Sequence, residues 1–226
     1  DNSFSANVLS MLDPKSMREA IIIPFKEGKM KRTYISPRGA EGDILYLQEP
    51  FALLMMLNAY LKQTGDVAFL DYKLEGLTIY EWMKKWGIVL HDEYARPEDG
   101  LIDVGLNTEK IVEIRTDGYC HVVPVMNGLT VWLYQHLATW GKERKDPEAE
   151  KFERYAEQLS HSFHHKLWNE KAGWFDNLFP DGSRELVYSY HLYDLLGTTV
   201  LTNAERERLI AQIKEGEFLG KFGMYS

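Results

Sequence analysis

Helices that are apolar on nearly every face alternate along this sequence with helices that are apolar on one face only. Residues 50–63 and 125–140 are of the first kind, whereas 147–168 carries its apolar side chains along a single stripe. A third pair follows, an apolar helix over 188–200 and a polar helix over 203–215 that has Asn203 as its N-cap. Apolar surface all round a helix predicts burial on every side, and a single stripe predicts one face in water. The pattern therefore predicts inner helices, each joined to an outer helix.

Three further segments complete the prediction. Asp13 as N-cap, Pro14 in the first turn and apolar residues at helical spacing predict a helix over 13–26. Residues 67–94 mix apolar side chains with acids and lysines, which predicts one outer helix with a kink at Gly76. We expect a long connection over 101–123 to be functional, because structureless stretches of about 20 residues are uncommon inside a compact domain.

Inner helices paired with outer ones form the repeat unit of an α/α toroid. The predicted fold class is therefore all-α, an (α/α)6 toroid of helical hairpins that is only partly present here. A closed ring of six hairpins holds twelve helices, and at about 11–12 residues per helix plus connections it needs more than this chain's 226 residues. We expect residues 1–226 to form about half of one toroid catalytic domain, truncated at one or both ends. The remaining half would come from the same or another chain.

Composition narrows the possible partners. The chain has 26 basic and 34 acidic residues and a net charge of −8, which disfavours nucleic acid and anionic membrane surfaces. The longest uninterrupted apolar run, Phe51 to Leu57, is shorter than the roughly 18 residues that a membrane-spanning helix requires. A single cysteine, Cys120, excludes an internal disulfide and leaves the compartment open. A periplasmic or secreted location is slightly favoured over a cytoplasmic one.

A short charged segment opens the apolar helix at 125–140. It contains Glu113, Arg115, Asp117 and Tyr119. Charged groups are rarely placed against an apolar element without a partner or a task. Burial and the guanidinium can drive the pKa values of the two carboxyl groups apart, which suits acid–base chemistry on a polar, uncharged substrate. The structural alternative is that Arg115 bridges the two acids and pins the loop.

Three stretches of the sequence resemble a known family. They are the helix end Tyr60–Asp66 followed by Phe69 and Leu70, the charged segment running into Val123–Leu129, and Leu167–Asp176 before Asp181 and Gly182. In these stretches the chain resembles the six-hairpin (α/α)6-barrel glycosidases, a superfamily that includes trehalases, processing α-glucosidases and α-rhamnosidases. The resemblance covers most of the chain and is closest in style to the trehalase and processing α-glucosidase branch.

The resemblance implies a glycoside hydrolase that uses two carboxyl groups, in the inverting manner. In that branch the loop before a Pro-Val-x-x-Asn segment carries the acid that protonates the leaving group, a role that falls here to Asp117 and next to Glu113. The branch's aromatic-Asp followed by Ser-Ser-Arg is absent, since Arg115 precedes Asp117. Its general base lies on a later hairpin, beyond Ser226. The implied partner is an oligosaccharide or glycoside; the alternatives are a sugar epimerase on a related toroid and a non-catalytic carbohydrate-binding toroid.

Further residues are candidates for substrate binding. Arg115 is a candidate donor to a substrate hydroxyl. Tyr119, in the same charged segment, is a second candidate for substrate binding. Asp103 is expected in a loop at the rim of the toroid's central cavity, near the charged segment, where it either binds a sugar hydroxyl or caps a turn. Glu49 and Tyr46 lie at the start of a buried helix that would face the cavity, although the helix dipole alone favours an acid there. Trp174, in a predicted β-turn, is a candidate for stacking on a sugar ring.

Histidine and cysteine patterns do not predict a metal or nucleophile site. His161, His164 and His165 have the spacing of metal ligands, but His161 and His165 are expected to face solvent. Cys120 and His121 are neighbours in an extended segment, so their side chains should point opposite ways. No metal and no cofactor are predicted.

Overall fold

The computed structural model describes residue 3 and residues 5–26, 47–106, 118–221 and 223–224. Within these residues the α-helices are α1 (Ala6–Leu12), α2 (Pro14–Lys26), α3 (Glu49–Thr64), α4 (Ile79–Val89), α5 (Pro124–Glu143), α6 (Ala149–Ser162) and α7 (Asn203–Ile210). Val67–Asp71 and Tyr190–Gly197 are 3₁₀ helices, and Leu90–Tyr94 and Phe163–Leu167 are single π-helical turns. Helices dominate the described chain.

Short antiparallel strand pairs punctuate the helices. They are β1 (Lys73–Leu74) with β2 (Leu77–Thr78), β3 (Trp168–Asn169) with β4 (Trp174–Phe175), β5 (Asn177–Leu178) with β6 (Arg184–Glu185), and β7 (Leu219–Gly220) with β8 (Gly223–Met224). Each strand is two residues long, so these hairpins act as turns between helices. The β3–β4 pair confirms the predicted β-turn around Trp174.

The described residues divide into two compact units, one up to Val89 and one from Leu90 onward. In the first unit α3 packs against α1, α2 and α4. Its core contains the fully buried side chains of Met17, Phe25, Phe51 and Leu54. Eight of the 16 residues of α3 are buried, and they lie on more than one face, as its all-round apolar sequence predicts.

The second unit is built on the α5–α6 hairpin. Fifteen of the 20 residues of α5 are buried, whereas α6 buries one stripe that includes Phe152, Ala156 and Leu159. The two helices pack closely along their lengths, and their short connection makes them antiparallel neighbours. The predicted contrast between an inner and an outer helix is therefore confirmed for this hairpin. None of the helices in the described parts of the chain combines the length and apolar content that a bilayer crossing requires.

The predicted single helix over 67–94 is wrong. A 3₁₀ helix is followed there by the β1–β2 hairpin, which turns at Glu75 and Gly76, and α4 begins only at Ile79. Glu75 and Gly76 have positive φ angles of 51° and 84°. The left-handed region interrupts an α-helix, so the glycine makes a turn rather than a kink.

Two predicted helices in the last third of the chain differ in type or length. The apolar segment 188–200 forms the 3₁₀ helix Tyr190–Gly197 rather than an α-helix. The helix predicted over 203–215 ends at Ile210, and its N-cap is Thr202 rather than Asn203. The Thr202 hydroxyl accepts from the backbone N–H of Glu205, and the Glu205 carboxylate accepts from that of Thr202. This reciprocal capping box fixes where the helix begins.

Candidate functional site

Two backbone segments lie side by side immediately before α5. We call them together the α5 junction, which comprises residues 101–105 and 118–123. The Val104 N–H donates to the His121 carbonyl at 3.0 Å, and the His121 N–H donates to the Gly105 carbonyl at 2.8 Å. On the other side, Val122 and Leu178 exchange two hydrogen bonds of 3.1 Å each. The segment that leads into α5 is therefore held from both sides.

Asn127, in the first turn of α5, joins the two parts of the junction. Its side chain is fully buried, and its Oδ1 accepts from the Ile102 N–H at 2.7 Å. Its Nδ2 donates to the Ile102 carbonyl at 3.1 Å and to the Val123 carbonyl at 2.9 Å. These bonds satisfy both backbone polar groups of Ile102, a buried residue of the loop. The sequence signal for this role was a polar residue inside an otherwise apolar helix.

Asp103 and His121 form a side-chain pair at the junction. Asp103 Oδ1 accepts from the Gly105 N–H at 2.8 Å and lies 3.1 Å from His121 Nδ1. The two side chains are 24% and 16% exposed. The His121 ring also contacts the edge of Phe179, with 5.9 Å between ring centroids. Asp103 thus caps a turn, one of the two roles that the sequence predicts for it, and it also orients the imidazole of His121, which is not among the predicted site residues.

His121 has a φ angle of 58°, in the left-handed region. Residues other than glycine seldom adopt this conformation, and such strain concentrates at functional sites. Positive φ cannot be recognised from a histidine in the sequence.

Gly118, where the described chain resumes, is enclosed by two side chains. Asn177 is fully buried, and its Nδ2 donates to the Gly118 carbonyl at 2.6 Å. The Glu185 carboxylate occupies the space into which a side chain at residue 118 would extend. An exposed carboxylate therefore lies against the residue that follows Asp117 in the sequence. Glu185 was not predicted, because nothing in the sequence relates β6 to the charged segment.

Tyr119 and Trp174 lie in the core of the second unit. Tyr119 is 2% exposed, and burial raises the pKa of its hydroxyl despite a hydrogen bond with Ser189 that acts in the opposite direction. Trp174 is 1% exposed, and its indole N–H donates to the Val187 carbonyl at 3.1 Å. The Trp174 ring packs against Phe218 and other aromatic rings rather than open space. Both residues serve packing in this structure.

Glu49 lies in the first unit, at the start of α3, and is described by itself. It is half-buried, and burial raises its pKa to about 8. Its Oε2 is buried and has no hydrogen-bond partner within the described ranges. Glu49 is therefore mostly protonated at neutral pH. The other predicted site residues, Asp117, Glu113, Arg115 and Tyr46, lie outside the described residues.

Metal ligation finds no support in the part of the chain that the structure describes. There, no group of three or more histidine, cysteine, aspartate or glutamate side chains is arranged to hold a metal ion. His161 and His165 are exposed, as the sequence predicts, and their ring centroids are 4.3 Å apart.

A solved structure shares this fold. The rhamnosidase from Klebsiella oxytoca with rhamnose bound matches with a TM-score of 0.64 and 12% sequence identity, over 91% of this chain and 39% of that chain. At this identity the likeness shows the fold alone. The chain is mainly α-helical, and the predicted fold class, a partial α/α toroid of helical hairpins, is confirmed. The chain spans about two fifths of the rhamnosidase.

Sequence comparison is less informative. No protein-family model matches the chain. The ribosomal RNA small subunit methyltransferase G of Staphylococcus saprophyticus is 32% identical over 85 residues, which are 38% of this chain and 31% of that protein. The chain thus spans about a third of this curated relative, and the match does not show a family. The net charge of −8 also disfavours an RNA substrate.

Proposed function

We propose that this chain is part of a glycoside hydrolase that acts on an oligosaccharide or another glycoside. The observation that carries the proposal is the fold shared over 91% of the chain with a rhamnosidase. The motifs that resemble six-hairpin glycosidases point to the same activity independently of that structural likeness. Rhamnosides are the first substrates to test, because the solved neighbour holds rhamnose.

The proposed reaction is acid-assisted hydrolysis at the α5 junction. Asp117, with Glu113 as the alternative, gives a proton to the glycosidic oxygen as the bond to the anomeric carbon breaks. A second, ionised carboxylate removes a proton from the attacking water, and inverting enzymes place the two groups about 6.5–9.5 Å apart to leave room for that water. The second carboxylate is either the other acid of this segment or a residue beyond Ser226. The reaction as proposed needs no cofactor and no metal.

The geometry around Gly118 supports this placement. Residue 118 follows Asp117 directly and is held by Asn177, so the carboxyl-terminal side of the charged segment has a fixed anchor. Two partly exposed polar side chains also lie at the junction, His121 on the same segment as Gly118 and Asp103 on the neighbouring segment. Uncharged sugars need such groups for binding, because their hydroxyls are recognised by hydrogen bonds. The rest of the toroid, from the same or another chain, would close the cavity.

A sugar epimerase is the second candidate. Such an enzyme would use histidines at the cavity, and the observation that favours it is His121, oriented by Asp103 at 3.1 Å. Product analysis separates the two reactions: a hydrolase releases a free sugar from a glycoside, whereas an epimerase converts one free sugar into another.

The test uses the protein with any flanking sequence that its gene encodes, and a panel of aryl glycosides that includes an aryl rhamnoside. We expect Asp117→Asn or Glu113→Gln to lower kcat by at least about 100-fold, the order expected for loss of a general acid or base, while sugar binding is retained. Glu157→Gln, an exposed change on α6, is the control and should leave turnover unchanged. Unchanged hydrolysis in both acid variants would refute the site, and no turnover of any glycoside by the wild type would refute the function.

A further inference from the structure

We propose that His121 contacts a hydroxyl of a neutral sugar through its Nε2 and that Asp103 is its positioning residue. This inference rests on the proposed function only in taking the ligand to be a carbohydrate. It uses described residues alone.

The position of His121 is determined by four separate contacts. Its backbone N–H and carbonyl are both bonded to the neighbouring segment, at Gly105 and Val104. Its ring is held by the Asp103 carboxylate on one edge and by Phe179 on another side. With φ at 58°, glycine would fit this backbone with less strain than histidine. Backbone geometry therefore does not select histidine over glycine here, and what distinguishes histidine is the imidazole that Asp103 and Phe179 hold in place.

The pairing with Asp103 fixes what the imidazole offers to a ligand. A carboxylate only accepts hydrogen bonds, so the contact between Asp103 Oδ1 and Nδ1 requires the proton on Nδ1. In the neutral ring Nε2 is then an acceptor. Within the described ranges neither Nε2 of His121 nor Oδ2 of Asp103 has a hydrogen-bond partner, and both side chains are partly exposed. Among the described residues, Nε2 is thus the acceptor that this pair presents to a ligand.

These groups favour a neutral polyol over other ligand classes. A hydroxyl group can donate to Nε2, whereas an anion would be repelled by the Asp103 carboxylate. Phe179 is half-buried beside His121, and an aromatic ring offers a surface to the apolar C–H patches of a sugar ring. An acceptor next to an aromatic side chain suits a monosaccharide.

The experiment must separate ligand contact from loop stability. His121→Gly removes the imidazole while suiting the positive φ, so we expect Tm to change by less than about 4 °C. We expect Kd for rhamnose, or KM for an aryl rhamnoside, to rise at least about 10-fold, the order of one lost hydrogen bond. Lys145→Gly is the matched control, because Lys145 is exposed and has a φ of 56° away from the junction. It should leave both constants unchanged.

Asp103→Asn tests the positioning role. If Asp103 acts through His121, its substitution raises Kd or KM in the wild type and has little further effect in the His121→Gly background. A purely structural role would instead lower Tm in both backgrounds and leave the binding constants unchanged.

Direct observation comes from NMR of the His121 ring protons during titration with rhamnose and other monosaccharides. Saturable shifts in the wild type, together with a Kd for rhamnose at least about 10-fold higher in His121→Gly, support the inference. They do so even if no glycoside is hydrolysed, in which case only the hydrolase proposal fails. Wild-type hydrolysis with unaltered kinetics in His121→Gly and Asp103→Asn overturns the inference and leaves the hydrolase standing. Absence of both binding and hydrolysis across the panel overturns both.

Discussion

The start of α5 and the start of α3 look alike in sequence and differ in how their buried polar atoms are satisfied. Both helices have a proline in the first turn, and neither has an N-cap side chain that accepts a hydrogen bond. At α5, Asn127 binds the backbone of the preceding loop through three hydrogen bonds. At α3, buried oxygens of Gln48 and Glu49 have no partner in the described part of the chain.

These two helix starts accommodate buried polar groups in different ways. Burying a polar atom without a partner costs free energy, and pairing it removes that cost. At α5 the paired groups fix the junction and leave one imidazole edge open. At α3 the unpaired carboxyl group becomes neutral, since burial raises the pKa of Glu49 to about 8. Its predicted contact with substrate stays a prediction, and a neutral acid there is able to donate a hydrogen bond.

The largest expected effect on stability is at the start of α5, where the buried polar groups are hydrogen-bonded. Asn127→Ala removes three hydrogen bonds and leaves both polar groups of Ile102 buried without that partner. We expect the free energy of unfolding in urea to fall by about 3–5 kcal/mol, as for other losses of a buried network. Asn203→Ala, an exposed change at the first residue of α7, is the control and should cost less than about 0.5 kcal/mol. A cost below about 1 kcal/mol for Asn127→Ala would show that the junction does not depend on this amide.

The next effect concerns the unpaired acid. The pKa of Glu49 is about 8 in the folded protein and 4.5 for an ordinary glutamate, so the folded state binds more protons between these pH values. The contribution of Glu49 to the free energy of unfolding is therefore fully present below about pH 4.5 and is lost as pH rises through about 8. Across that window we expect the wild type to lose roughly 2–4 kcal/mol relative to Glu49→Gln in urea unfolding, somewhat below the full linkage value because Glu49 is partly exposed.

Glu205 serves as the control of opposite sign. Burial acts to raise its pKa, but hydrogen bonds from His164 and Thr202 outweigh burial and lower it. Its contribution to stability is present above the ordinary glutamate pKa of 4.5 and is lost as pH falls through the pKa of the folded protein. Glu205→Gln should therefore alter the acid limb of the stability curve and leave the slope between neutral pH and pH 8 unchanged. A wild-type curve with no dependence on Glu49 in that range would contradict the contrast between the two acids.

The sequence predicts those elements of the fold that leave a local pattern of apolar residues. Helix α5 and most of α2, α3 and α6 are visible as apolar periodicity, because burial of a helix face repeats every three to four residues. The sequence predicts a kink at Gly76 instead of the observed turn at Glu75 and Gly76, since a glycine inside an amphipathic pattern does not reveal its φ angle.

The site was less predictable than the fold. The place of Asp103 in a polar loop predicts a role in substrate binding, and the structure puts it at the junction with His121. His121 and Glu185 were not selected, because their roles depend on a strained backbone angle and on a contact between distant segments. Neither quantity has a local sequence signature. Trp174 is packed among aromatic rings, and an aromatic side chain looks the same in sequence whether it lies in the core or in a cavity.

The smallest expected effects compare two glycines in the second unit. A Cβ at Gly128 would lie 2.5 Å from Cδ1 of Leu195, whose side chain is fully buried. We expect Gly128→Ala to cost about 1–3 kcal/mol in urea unfolding, as other overpacked cores do. Gly118→Ala would meet the Glu185 carboxylate, which is exposed and free to turn toward water, so it should cost less than about 1 kcal/mol. Equal costs would indicate that the junction around Gly118 is as tightly packed as the core of the α5 helix.

The most direct test of sugar binding at the α5 junction is a crystal structure of the protein with rhamnose bound. We expect a sugar at the α5 junction, with one hydroxyl oxygen within about 3.2 Å of His121 Nε2, the outer distance of a normal hydrogen bond. A sugar bound elsewhere on the protein, with the Asp103 and His121 side chains making no contact to it, would contradict the account.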